Sequence, residues 1–487
     1  MCISCYVLSY SDFYYLAKVV YFKYNGRLQK RGGLAMEKNR KLDGLLRSIR
    51  AGQTQTVLLA FPDMQGRWMG KRATGRHFAK TVSQHGTHAC AYLLTVDMEM
   101  DPVPGYELTS WAKGYQDFLL APDLSTIRAL PWQPGTTLIV CDLKSADGTK
   151  PVAVAPRQIL RDQVSRAAAE GFSLKMASEL EFYLFKETYD SAQKKRWHDL
   201  EHFGSYIEDY HILQGTKEEF VVGDIRNFME KAGIPVETSK GEWGPGQHEI
   251  NLGYAGPVET ADWHTIYKHG AKEIAMQKGV SMTFMAKFDS KLAGSSCHIH
   301  TSLWDKAGKK PLFWEGGKAS KLFRHFLGGQ MALARELSYF YAPTVNSYKR
   351  YQSSTFAPTR IAWAADNRTC GFRTVGEGGA YRIENRIPGA DVNTYLAFAA
   401  TIAAGLYGIK NKIEPPPELK GNAYESKAAP VPKTLHEAIA LLEKSKAAQQ
   451  AFGEAVFKHY LHTARAEQAA YDRAVTCWER ERNFERI

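Results

Sequence analysis

The sequence predicts an α+β protein of more than one domain, on three observations. Its 487 residues are 44% hydrophobic and 23% charged, an ordinary globular composition and enough chain for two or three domains. Short strands and turns fill the chain up to Asp142, and the proline pair Pro151 and Pro156 then marks a boundary. Beyond that boundary, helical stretches alternate with strands that turn two ionisable side chains to one face.

Taken in order, residues 1–35 read as an extension ahead of the main body, which begins naturally at Met36. The extension carries Lys18, Lys23, Arg27, Lys30 and Arg31 against one acid, Asp12, a weak likeness to a targeting peptide. Its apolar run from Cys5 to Phe22 is broken by Ser9, Ser11, Asp12 and Lys18, so no membrane span is expected. Lys38 to Ile49 has Leu42, Leu45, Leu46 and Ile49 at helical spacing. Thr56 to Phe61 reads as a strand with its turn at Asp63–Gly66. Gly66–Lys71 is too short for a phosphate loop and reads as a hairpin. After the boundary, Leu160, Val164, Ala167 and Ala168 line one helix face, and Gly171 suits its left-handed cap. A strand over 173–185 follows, and a helix ends at Met229–Gly233. Further helices are expected over 260–279, 317–340 and 397–408, and from Thr434 to the end. Pro415–Pro417 forbids helix at that point.

The net charge of +12 comes from scattered Lys and Arg with no basic run interleaved with aromatics, which excludes nucleic acid and suits small anionic substrates. Seven dispersed cysteines fit a reducing cytoplasm rather than a disulfide framework. Cys2-Ile-Ser-Cys5 has no second pair to complete a zinc site.

The chemistry gathers on strands. In Tyr381–Ile387 the period of two puts Arg382, Glu384 and Arg386 on one face and Tyr381, Ile383, Asn385 and Ile387 on the other. Alone this could be the salt-bridged outer face of a surface strand. The same pattern recurs, however, at Glu179 and Glu181, and at His298 and His300, while Glu242 and Glu249 flank a glycine loop. Carboxylates with imidazole suit a divalent cation, and interleaved arginines suit anions, so one polar mouth for metal-assisted phosphate chemistry is expected.

Six motifs in order carry a family resemblance: Glu179-Leu-Glu181-Phe, Gly246-Gln-His-Glu249-Ile, His298-Ile-His300-Thr-Ser-Leu-Trp, Asn346-Ser-Tyr-Lys-Arg350, Asp366-Asn-Arg368 and Arg382-Ile-Glu384-Asn-Arg386-Ile-Pro-Gly-Ala-Asp391. From about residue 40 onward the chain resembles the glutamine synthetase superfamily, in particular its bacterial type I branch. The resemblance implies a small β-grasp domain over 36–150, packed against a neighbouring subunit, and a catalytic domain over 151–487 built on a curved antiparallel sheet. It implies a homo-oligomer, a dodecamer of two hexameric rings with sites between subunits. One Mg²⁺ or Mn²⁺ would be held by Glu181, Glu242 and Glu249, and a second by Glu179, His298 and Glu384. Glu237, His300, Ser302, Arg368, Arg373 and Arg382 would contact ATP, and Gly294, Arg350 and Arg386 would hold L-glutamate. Arg368 and Glu242 are the implied catalytic pair, in a reaction that forms γ-glutamyl phosphate and passes the glutamyl group to an amine.

Departures from the family pattern bear on that amine. Phe356 stands where glutamine synthetases carry a flap glutamate that helps bind ammonium. The Asp-Gly-Ser-Ser loop is missing, with Asp97 its nearest counterpart, and Ala293 replaces an asparagine before Gly294. A compact cation without its carboxylates has lost its reason to bind. The departures are similar to those of the γ-glutamyl–amine ligase branch, and Trp243, Phe356 and Tyr210 are the expected walls of an amine pocket favouring a monoamine. Two alternatives stand beside this reading: a glutamine synthetase using ammonia, and a catalytically inactive relative with a structural role. Tyr424 lies in the region adenylylated in some family members, but its surroundings do not match that site.

Overall fold

The computed structural model describes residues 36–487, so the CxxC pair and the basic extension lie outside the described residues. A helix over 36–50 opens the described residues, as its leucine spacing predicts. Two sheets follow. The first is β1 (Thr56–Pro62), β2 (Trp68–Thr74), β3 (Thr87–Cys90), β4 (Asp117–Pro122), β5 (Arg128–Ala129) and β6 (Thr136–Ser145), in the order β2-β1-β6-β4-β3 with β5 on β6. β1 and β2 form the expected hairpin, and the parallel pairing of β1 with β6 centres the sheet on the apolar run Val57–Phe61.

The second sheet is larger. It comprises β7 (Phe172–Phe185), β8 (Val236–Gly241), β9 (Gln247–Leu252), β10 (Ser281–Thr283), β11 (Cys297–Asp305), β14 (Trp363–Ala365), β15 (Phe372–Val375) and β16 (Arg382–Asn385). Its order is β14-β15-β16-β11-β7-β9-β8, with β10 on β7. All its pairs are antiparallel except β14 with β15. The helices Pro156–Ala169 and Pro257–Gln277 back it, and Thr394–Asn411 packs on both of them. The last of these crosses the Lys321–Leu333 helix very closely: a Cβ on Gly329 would stand 2.5 Å from Gly408 Cα. The small-residue run is what permits that approach.

One expected helix is shorter and broken. Residues 317–340 do not form a single helix, because Gly316 (φ 57°) and Gly317 (φ 78°) turn a two-strand hairpin, β12 (Trp314–Glu315) with β13 (Lys318–Ala319). The helix begins only after Ser320, whose hydroxyl accepts from the Phe323 amide at 3.1 Å, and it stops at Leu333 before a separate turn, Ser338–Tyr341.

Arg157 ties the two sheets together. Its buried guanidinium donates to Asp262 on the Pro257–Gln277 helix (2.9 and 2.8 Å), to Asp123 after β4 (3.1 Å), and to Asp142 on β6. Burial opposes ionisation of Asp123, but Arg157, Ser125, Lys38 and Arg161 outweigh it and hold its carboxyl below the usual range. Arg157→Met, which leaves three carboxylates facing one another, should lower stability at pH 7 by about 3–5 kcal/mol. A carboxyl with a depressed folded-state pKa stabilises above its unfolded value, so the gap between variant and parent should narrow as pH falls below about 4. Thermal unfolding of both proteins between pH 7 and pH 3 checks both statements.

Candidate active site

The sheet register brings the ionisable pairs into one mouth. Across β15, β16 and β11, Arg373 stands opposite Glu384 and Glu384 opposite His300. One step along, His298 pairs with Glu179 on β7, and Glu181 pairs with Glu249 on β9, which faces Lys240 on β8. Paired residues of antiparallel strands point to the same side, so the i, i+2 spacing of each motif becomes a single polar face. Tyr381 turns the other way and packs on Trp314 and Phe323, with ring centroids 4.8 and 4.7 Å apart. The period-two reading of this strand therefore holds.

This face floors a cavity of about 980 Å³. All six expected metal ligands line it: Glu179, Glu181, Glu242, Glu249, His298 and Glu384. Ligand atoms of Glu179, His298 and Glu384 lie within 4.8 Å of one another. A second group at that spacing is Glu181, Glu249 and His298, with His298 in the place expected of Glu242. Glu242 is instead ion-paired with Lys240. Burial, then the Glu181 carboxylate, nonetheless push Glu242 up to about 7, and burial with Glu179, Glu242 and Glu181 push Glu249 well above the usual carboxylate range. On the other side burial opposes ionisation of Glu384, but Arg386, His298 and His300 hold its carboxyl down at about 2. Acids crowded and raised in this way fit divalent cations, which relieve their mutual repulsion, and an oxygen-rich donor set fits Mg²⁺ or Mn²⁺.

Residues with no expected role of their own hold this arrangement. Ser296 donates its amide (2.8 Å) and its hydroxyl to Glu181. Gln247 donates to the Gly294 carbonyl (3.1 Å) and to Ser295 (3.2 Å). Lys240 is another such residue; its alternation with Glu242 along the chain is its signal in the sequence.

The expected anion-binding residues divide into two groups. Arg368 and Arg373 line the cavity, and Arg373 donates to Asp366 (3.0 Å) and Glu384 (2.9 Å). Arg350 and Arg386 are buried in its wall, and the Nε atoms of both lack partners. Gly294 makes this possible, since a Cβ there would stand 2.4 Å from Arg350 Cγ. Glu237 also lines the cavity. His300, Ser302 and Arg382 lie outside the lining: His300 bridges Glu179 (2.8 Å) and Arg382 (3.1 Å), and Ser302 accepts from Trp304 (2.9 Å).

At the rim Trp243 and Phe356 meet edge to face, ring centroids 5.6 Å apart, and Tyr210 stands over Lys240, whose Nζ is 4.5 Å from the ring. Trp243 is 47% exposed, Phe356 49% and Tyr210 66%. Phe356 and Tyr210 both hold φ near 59°, a left-handed backbone that bulky residues rarely adopt. Asp97 does not line the cavity and is occupied in its own turn, accepting from the amides of Glu99 (3.1 Å) and Asp101 (2.8 Å).

The profile of the glutamine synthetase catalytic domain matches residues 153–483. The chain belongs to the glutamine synthetase family. It is 50% identical over 439 residues to gamma-glutamylethanolamide synthetase GlnA4 of Streptomyces coelicolor, covering 90% of this chain and 94% of that one. It is 37% identical over 431 residues to a glutamate–isopropylamine ligase of a Pseudomonas species, covering 87% and 94%. The solved structures of apo GmaS and of its ADP complex superpose with a TM-score of 0.79 at 29% identity, covering 90% of this chain and 99% of theirs. The resemblance read from six motifs is borne out, and within the family the chain falls in the γ-glutamyl–amine ligase branch.

Proposed function

We propose that the amine used by this enzyme is a small primary monoamine with a carbon body, of the size of ethanolamine or isopropylamine. The enzyme is an ATP-dependent ligase that joins the γ-carboxylate of L-glutamate to an amine. The aromatic rim carries the proposal about the amine. Trp243 and Phe356 offer apolar area to a carbon-bearing substrate, worth roughly 25 cal/mol per Å² buried. Two acids of the cavity that could draw the far ammonium of a polyamine already have cations: Asp209 pairs with Lys240 (3.4 Å) and Glu219 with Arg226 (3.1 Å). The two curated relatives, named for ethanolamide and isopropylamine chemistry, support the same size range.

In the reaction a γ-carboxylate oxygen attacks the terminal phosphorus of ATP, releasing ADP and leaving γ-glutamyl phosphate. The neutral amine then attacks the acyl carbon, phosphate leaves, and the nitrogen gives up a proton. Arg350, given room by Gly294, and Arg386 would seat glutamate, while Arg368 and Arg373 would face the transferring phosphate. Two cations, Mg²⁺ or Mn²⁺, would be held by Glu179, His298 and Glu384 and by Glu181 and Glu249, with Glu242 joining on release from Lys240. Bound there, they supply positive charge against the phosphates. His300, Ser302, Arg382 and Glu237 remain the proposed nucleotide contacts. An aromatic rim also sheds water, which would hydrolyse the acyl phosphate.

ADP release with glutamate over a panel of ethanolamine, isopropylamine, putrescine and ammonium tests this. A monoamine should give the highest kcat/KM; putrescine or ammonium in first place would overturn the reading. The proposed assembly is a dodecamer of two hexameric rings, with 36–150 as the domain packed on a neighbour and 151–487 as the catalytic domain. Large apolar side chains left exposed at Trp111, Trp478 and Phe484 support assembly. Light scattering should therefore find a multiple of 54.7 kDa, and an active single chain would refute it. The five described cysteines are free, which supports a cytoplasmic setting. No helix among the described residues is long and apolar enough to cross a membrane.

A further inference from the structure

Behind the active-site face lies a second group of ligand-type side chains that the reaction does not use. His248 neighbours Glu249 on β9, so the two point to opposite faces of the strand. Its ring stacks at 5.9 Å on Phe182. Its Nε2 is 3.6 Å from Oε2 of Glu208 and 3.7 Å from Oε2 of Glu218. Glu208 comes from the turn before the Ile212–Lys231 helix, and Glu218 from within that helix. Both glutamates are fully buried and His248 is 2% exposed.

None of the facing atoms has a hydrogen-bond partner: Oε2 of Glu208, both carboxylate oxygens of Glu218, and Nε2 of His248 are all buried and unpaired. The first anchor is Glu208 Oε1, which accepts from the Gly246 amide at 2.7 Å. Glycines make room for it, since a Cβ on Gly204 would stand 2.0 Å from Oε1 and one on Gly241 2.9 Å from the Glu208 Cβ. The separations are too long for N–H···O bonds, which run about 2.7–3.2 Å. They are close to the roughly 3.4 Å between two ligands about 2.1 Å from one tetrahedral ion. All three ligand atoms lie within 4.8 Å of one another.

We propose that Glu208, Glu218 and His248 hold a divalent transition-metal cation, Zn²⁺ by donor set and spacing, distinct from the cations of the catalytic face. Its role is structural. It fastens the turn that carries Asp209 and Tyr210, and the helix after it, to the strand that carries Glu249. The amine-side wall and the metal-binding strand are thereby held to one point. The alternative is that the three side chains face one another with no ion between them.

Crystals of the unmodified chain grown with Zn²⁺, with diffraction measured on both sides of the zinc edge, test this directly. An anomalous peak between the three side chains is expected, and its absence would overturn the site. In solution, Glu218→Gln and Glu208→Gln should each bind one equivalent of Zn²⁺ per chain less than the parent by elemental analysis after dialysis. Each should also lose the rise in unfolding temperature that Zn²⁺ gives the parent. Equal zinc content in parent and variants would overturn the site. If both variants fail to fold, the anomalous map on the parent decides.

Discussion

Glu384→Ala should reduce ADP formation by at least about a thousandfold, a loss of about 4 kcal/mol of transition-state stabilisation, while Tyr381→Phe keeps activity within about twofold. Glu384 is fully buried and stands where three demands meet: it faces Glu179 and His298, accepts from Arg373 at 2.9 Å, and pairs with Arg386. Its removal takes away one proposed ligand and leaves two arginines without their counter-charge. Tyr381, three residues earlier, packs its ring on Trp314 and Phe323 and touches none of the cavity. Glu384→Gln is the control for shape, since it keeps the side-chain volume and loses the charge. Single-turnover ADP release, with unfolding temperatures measured alongside, separates chemistry from misfolding. If Glu384→Ala and Tyr381→Phe behave alike, the strand does not divide into a chemical and a packing face.

The second large effect is expected at Phe356. The favoured organic amine should exceed ammonia in kcat/KM by at least about tenfold, roughly 1.4 kcal/mol, and Phe356→Glu should narrow that gap from both sides. Ammonium offers no carbon surface, so its capture depends on carboxylates that desolvate it, orient it and take its proton. The edge-to-face contact with Trp243 makes Phe356 part of a continuous apolar rim, and a carboxylate there would both break that contact and add charge. The variant need not become a good glutamine synthetase, because the Asp-Gly-Ser-Ser loop is missing and Asp97, its nearest counterpart, already accepts from two amides of its own turn. Steady-state kinetics on both proteins, with ammonia and the best amine of the panel, give the comparison. A parent enzyme that prefers ammonia would reduce Phe356 to a packing substitution.

Much of the site was legible because it is written in strands. A period of two fixes the side of the sheet without any knowledge of the partner strand, so Glu179 with Glu181, His298 with His300, and Arg382 with Glu384 and Arg386 could be assigned to faces from spacing alone. Helix ends marked by Gly171 and Gly233 were legible for a similar local reason: both hold positive φ, which glycine adopts without a steric penalty. The 317–340 stretch misled because its apolar spacing is helical, while the turn at Gly316 and Gly317 and the cap at Ser320 act on a shorter scale than that spacing.

The sequence by itself determined the α+β class, the family, the two-sided strands, and the aromatic ring of Phe356 in place of an acid. Only the tertiary structure decided which charges meet. Glu179 and His298 are 119 residues apart and Arg157 and Asp262 are 105 apart, and nothing in local spacing couples such pairs. The same holds for the convergence of Glu208, Glu218 and His248 behind the strand. Side-chain direction is a property of a few neighbouring residues, whereas ion pairing and ligand geometry depend on strand register and packing between distant segments, which exist only once the chain has folded.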